Sequence, residues 1–168
     1  GRRCRPVRGS AYMGTSYTIA LLGHIVGVLL FVSGIVLAGV PFEVARRRSD
    51  PAEISLILSL TRIGVLFVAA GTVMVLGFGL WLVHLGRFGY DAGWVQAALV
   101  LFVVALALGG IGGRRPKQAR QRATRLAADD APADDELRRL LDDPLSRVVN
   151  YASAIAVLVI LCLMVFKP

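Results

Sequence analysis

His24 stands alone in the run SYTIALLGHIVGVLLFVSGIVLAGV, Ser16 to Val40, which carries no formal charge and no other group that titrates near neutral pH. The only other histidine, His84, closes a second apolar run. Imidazole nitrogens ligate haem iron and copper, and thioethers such as those of Met74 and Met164 are soft ligands for copper(I). One chemistry on offer is therefore haem or copper handling, with haem b or copper as cofactor and His24, His84 and Met74 as ligands. The plainer chemistry is a hydrogen bond from His24 to a neighbouring helix inside a structural bundle, where a polar side chain contributes about 0.6 kcal/mol. Three methionines, one of them Met13 just ahead of the first run, form no metal-binding cluster in the sequence. No catalytic set stands out either: the sequence has no Walker glycine-lysine loop, CxxC pair, HExxH or GxSxG.

The elements that must position these residues are membrane spans. The chain is 56% hydrophobic and only 18% charged, where soluble domains carry about 25% charged residues. A bilayer core about 30 Å thick needs about 20 apolar helical residues. Four segments meet or approach that length, at about residues 16–40, 63–84, 94–111 and 148–166. Four spans in 168 residues leave no room for a separate folded domain. The reading is an all-α integral membrane four-helix bundle, antiparallel and up-down. Asp50 and Pro51 suit a helix N-cap and first turn, and Arg62 suits an interface to which its guanidinium can snorkel. The second helix therefore starts in the headgroup region and enters the membrane near Ile63.

The basic residues set the orientation. Arg46, Arg47 and Arg48 fall in the first loop, at about 41–53, and nine Lys and Arg residues fall in the third, at about 113–147, whereas the second loop has Arg87 alone. By the positive-inside rule the first and third loops are cytoplasmic and both termini face outward. Tyr17, Trp81, Tyr90 and Trp94 then gather at the outer interface as an aromatic belt. The four arginines in GRRCRPVRGSAY contradict this rule, so residues 1–12 are read as an upstream extension or fragment edge and 13–168 as a single membrane domain. Without those arginines the formal charge falls from +8 to about +4. The basic balance is then a topology signal and not a nucleic-acid footprint.

The third loop opens basic, passes through AADDAPADDE and closes with LRRLLDDPLSR. It reads as a solvated loop with one or two short helices beside anionic headgroups, or as a partner-docking arm in which DDELRRLL forms an amphipathic turn. The partners implied are the lipid bilayer and, beyond it, a second copy or another membrane protein. Cys4 and Cys162 are too far apart in this layout for a structural disulfide.

Glycine marks the packing faces. Gly23, Gly27, Gly34, Gly71 and Gly77 are small-residue positions of the kind that let membrane helices approach closely. Stepping by four and three from Ala20 gives His24, Gly27, Phe31 and Gly34, a seam that faces protein. The same step from Ala70 gives Met74, Gly77, Trp81 and His84, which places the second histidine on an internal stripe. His24 lies about 10 Å below Tyr17 at 1.5 Å per residue, and His84 lies nearer the outer end of its span.

A histidine in the first span, GFGLWLV ending the second, GW opening the third and a terminal LMVFKP together resemble an uncharacterised bacterial family of predicted integral membrane proteins (domain of unknown function 2269). That family is similar in turn to the copper-resistance D proteins and the HemJ-type protoporphyrinogen oxidases. The resemblance covers Gly14 to Pro168 and implies a multi-pass protein of the bacterial cytoplasmic membrane. It matches His24 to the first-span haem ligand of the HemJ-type proteins. Those proteins also carry a lysine a few residues into the third span, where GWVQAALV offers Gln96 and Ala98, so half of that oxidase site is missing here. The expected function is a structural or accessory bundle, with haem or copper handling through His24 as the alternative and a HemJ-like oxidase or small transporter behind it.

Overall fold

The computed structural model describes residues 9–85 and 92–166, with side chains from Gly14 onward. Arg87, Tyr90 and residues 1–8 lie outside the described residues, so the readings of the second loop and of the N-terminal extension are not addressed by it. The described residues form six helices: α1 (Gly9–Arg46), α2 (Pro51–Leu85), α3 (Gly93–Gly112), α4 (Arg114–Ala128), α5 (Asp135–Leu141) and α6 (Pro144–Phe166). Four helical stretches are long and apolar enough to cross a membrane, and no strand occurs among the described residues.

The first span runs past its expected end. Pro41 removes one backbone donor but stays inside α1, so the chain remains helical to Arg46 and only residues 47–50 turn into α2. Asp50 caps α2 as expected, its Oδ1 accepting the Ala52 N–H at 3.0 Å ahead of Pro51.

The bundle is assembled as two tight pairs, α1 with α2 and α3 with α6. In the first pair the backbones touch at glycines. A Cβ added to Gly34 would stand 2.6 Å from the Val68 nitrogen, one on Gly64 2.7 Å from the Ala38 nitrogen, and one on Gly71 2.5 Å from the Phe31 nitrogen. Gly27 meets Met74 and Val75, and Gly23 meets the Phe78 ring. Gly77 departs from the expected packing role: it is exposed, and a Cβ there would meet nothing within 4 Å. The second pair is joined by hydroxyls. Ser153 Oγ donates to the Ala105 carbonyl and Ser146 Oγ to the Gly112 carbonyl, each at 3.1 Å, and Asn150 packs against Gly112. Hydroxyls spaced along one face of α6 thus satisfy themselves on small-residue positions of α3, where the backbone is open to them.

Between the pairs the contact is made by large side chains. Phe31, Ala98, Phe102 and Ile160 are buried there together, with the Phe31 and Phe102 rings 5.3 Å apart. Leu22, Leu29, Leu66, Val73, Val103 and Leu158 point outward and are mostly exposed, as a lipid-facing surface requires.

The short helices expected between residues 113 and 147 are present as α4 and α5, but they do not lie free in solvent. Leu137, Leu140 and Leu141 of α5 and Ala119 and Ala123 of α4 are buried with Phe42, Ala45, Ile54 and Leu58. The apolar face of DDELRRLL is therefore filled by the chain's own helices, which corrects its reading as an arm held out for a partner. Asp134 caps α5 by accepting the Leu137 N–H at 2.9 Å, and Arg122 Nε reaches the same carboxylate at 2.9 Å. The guanidinium beside it holds the Asp134 carboxyl below the usual carboxylate range, with the Leu137 N–H helping. The same carboxylate raises the hold of Arg122 on its proton.

Candidate functional site

The stripe Ala20, His24, Gly27, Phe31 and Gly34 is buried at every position, as its spacing predicts. His24 therefore faces α2, where Nδ1 lies 3.1 Å from the Val75 carbonyl oxygen. A carbonyl can only accept, so Nδ1 carries the proton and the neutral ring keeps its lone pair on Nε2. The room for the ring comes from Gly79, one turn beyond Val75: a Cβ there would stand 3.2 Å from both Cε1 and Nδ1 of His24. Any larger residue at 79 would press on the imidazole.

His24 also lines a cavity of about 90 Å³ between the two helix pairs. The walls are nearly all apolar. Phe31 and Phe102 contribute from α1 and α3, Trp94 and Ala98 from the start of α3, and Ile160 and Met164 from α6. Trp94 lines the cavity, while Tyr17 and Trp81 are exposed.

The other sequence-nominated ligands lie elsewhere. His84 is exposed near the end of α2 and does not line the cavity. Met74 is spent on the α1–α2 contact at Gly27. The stripe stepped from Ala70 is the wrong phase of α2: Ala70, Gly77, Trp81 and His84 are exposed, and the face toward α1 runs through Thr61, Gly64 and Gly71. Met164 is the thioether that shares a cavity with His24. Among the described residues no three of His, Cys, Asp and Glu come together as a metal group. Ala98 is buried against the cavity and Gln96 is exposed. Cys162 is an exposed free thiol.

Gly79 and Met164 complete the His24 environment. Gly79 is one of several glycines in α2, and only the register against α1 singles it out. Met164 sits in an apolar helix without any local signal.

Fold and site together define an integral membrane bundle of four spanning helices, with a pair of short amphipathic helices packed against one end and a single buried imidazole near the other. The chain belongs to the family described as predicted integral membrane protein (DUF2269), whose model matches residues 18–168. No curated protein and no solved structure matches it.

Proposed function

We propose that the chain is a non-enzymatic accessory bundle of the bacterial cytoplasmic membrane, with α4 and α5 on the cytoplasmic side and both termini outward, in which His24 ties α1 to α2. The observation that carries this reading is the Nδ1 contact with the Val75 carbonyl over the space left by Gly79. An interhelical bond of this kind contributes about 0.6 kcal/mol in a membrane, enough to retain a histidine without a ligand. The orientation rests on the basic residues of 46–48 and 113–147.

The cavity supports little else. Apart from the imidazole and the Trp94 indole its walls offer hydrocarbon and one thioether, whereas a proton or ion path calls for several intramembrane ionisable groups. For a haem the described walls offer a single imidazole as axial ligand, His24, and, beyond the Trp94 indole, no polar or charged side chain to meet the propionates. The second reading is copper(I) held by imidazole and thioether, favoured by one observation, that His24 and Met164 line the same cavity. The pair is one neutral imidazole and one weak thioether with no thiolate beside them, so this stands behind the structural reading.

A visible spectrum and metal analysis of detergent-purified protein, oxidised and reduced, with His24→Ala and Met164→Ala alongside, separates the two. A colourless, metal-free preparation that stays so after incubation with haem or copper(I) supports the accessory bundle. A Soret band or stoichiometric copper that disappears in His24→Ala overturns it.

A further inference from the structure

Where α4 crosses α2, one strip of each helix is polar throughout. On α2 it is Ser55, Ser59 and Arg62, spaced by four and three; on α4 it is Lys117, Arg120 and Thr124, spaced by three and four. Beside these strips Ile54 and Leu58 pack with Ala119 and Ala123, which fixes the crossing. Ser55 Oγ and Thr124 Oγ1 are hydrogen-bonded at 3.1 Å, and the helices run antiparallel from there, so that Arg62 comes alongside Arg120 and their charges repel.

The ion-paired acids of this end hold other arginines. Glu43 pairs with Arg46, Glu53 with Arg48, Asp143 with Arg115, and Asp134 and Glu136 with Arg122. Among the described residues no ion pair reaches Arg62, Lys117 or Arg120. Two guanidinium groups on adjoining helices without a counter-charge form a receptor for an anion with several acceptor oxygens, and a phosphate matches the planar fork of arginine.

The surface beyond Arg62 says what the phosphate carries. One turn further along the same face stand Leu66 and then Val73, 66% and 72% exposed. A single helix face therefore passes from hydroxyls through a guanidinium to bare hydrocarbon at the depth where α2 enters the bilayer. A free anion has no use for that continuation; an amphiphile does.

We propose that the α2–α4 groove is a binding site for an anionic phospholipid, with the phosphate held among Arg62, Arg120 and Lys117 and an acyl chain along Leu66 and Val73. Juxtamembrane basic pockets of this kind recognise anionic headgroups, and the assignment stands independently of what His24 does.

The test is a native mass-spectrometric titration of delipidated protein in dodecylmaltoside with phosphatidylglycerol or phosphatidylcholine of matched chains. Wild type is expected to hold one phosphatidylglycerol in clear preference to phosphatidylcholine. The pair Arg62→Gln and Arg120→Gln should lower that affinity about 10- to 30-fold, Arg62→Lys with Arg120→Lys should keep most of it, and Arg47→Gln should leave it unchanged. Equal affinity for the two lipids, or full phosphatidylglycerol affinity in the double Gln variant, overturns the site. Millimolar inorganic phosphate is the second arm: no displacement supports a lipid occupant, whereas full displacement makes this a free-anion site and overturns the lipid assignment. If the Gln variant fails to fold, wild-type lipid preference and the lysine variant still decide.

Discussion

Gly71→Ala and Gly77→Ala are the same chemical change, six residues apart on one helix, and the packing of α1 on α2 gives them different outcomes. At Gly71 the added carbon would lie 2.5 Å from the Phe31 nitrogen and 2.7 Å from its Cα. Both are backbone atoms, so no rotamer change can move them. Restoring an ordinary contact of 3.4 Å requires α1 and α2 to part there by close to 1 Å, which loosens the neighbouring contacts at Gly27, Gly34 and Gly64. A radial gap of about 0.5–1 Å already forfeits a quarter to a half of a dispersion contact, and overpacking of a close-packed site costs about 1–3 kcal/mol. Alanine recovers up to about 1 kcal/mol through its better helix propensity, leaving Gly71→Ala destabilised by up to about 2 kcal/mol and about 1–3 kcal/mol less stable than Gly77→Ala, which shares that gain. Gly77→Ala meets nothing within 4 Å and keeps only the propensity gain, so it should be neutral or slightly stabilised. Reversible unfolding followed by circular dichroism in dodecylmaltoside–SDS mixed micelles measures the difference. Equal midpoints for the two variants would refute the backbone-contact seam.

The cap at the other end gives two further predictions. Leu141 is fully buried where α5 meets α1 and α4, so Leu141→Ala should destabilise the α4–α5 unit by about 2–5 kcal/mol; this is read as faster amide exchange in α4 and α5 with the spans still protected, and loss of protection in all helices at once would contradict a locally folded cap. Because the folded Asp134 carboxyl is depressed by Arg122, its contribution is complete above the ordinary range near 3.8 and fades as pH falls through the still lower folded value. The protection factors of Leu137–Leu141, which divide out the pH dependence of intrinsic amide exchange, should therefore fall on acidification, and Asp134→Asn, which keeps a capping oxygen, should flatten that dependence; an unchanged acid response in the variant would assign it to other carboxylates.

How far the sequence discloses this arrangement varies from helix to helix. The phase of α1 is legible because Ala20, His24, Gly27, Phe31 and Gly34 place small residues and one polar group at helical spacing amid larger apolar ones, and all five are buried. The phase of α2 is not, because Ala69, Ala70 and Gly71 are adjacent and equally small, and a helix surrounded by hydrocarbon lacks the polar face that fixes the phase of a soluble one. Taking Ala70 in place of Gly71 turns the helix by about 100°, which carries the stripe through Met74, Gly77, Trp81 and His84 and puts His84 on the inside. The α3–α6 pair did leave a signal, Ser146, Asn150 and Ser153 on one face, but its meaning depends on finding open backbone at Gly112 and Ala105 opposite. The burial of α5 likewise depends on the ends of α1 and α2, which lie far off in sequence.

The position of the cavity follows from the way small residues are distributed. Glycines draw α1 onto α2 until backbones touch, and serines tie α6 to α3, so each pair is closed on itself and the pairs meet only through bulky rings such as Phe31 and Phe102. Rings and branched chains fill such a seam less completely than backbone meeting backbone, and the space left over is the cavity beside His24. Because Nδ1 is already committed to Val75, the structural and metal-holding readings of this histidine differ at Nε2 alone. A group that bound there would have to be small and to enter through apolar walls, with Met164 as the soft side chain that shares the cavity. That asymmetry makes Met164→Ala the informative partner to His24→Ala: a strut on α2 is indifferent to the loss of the thioether, and a copper(I) site is not.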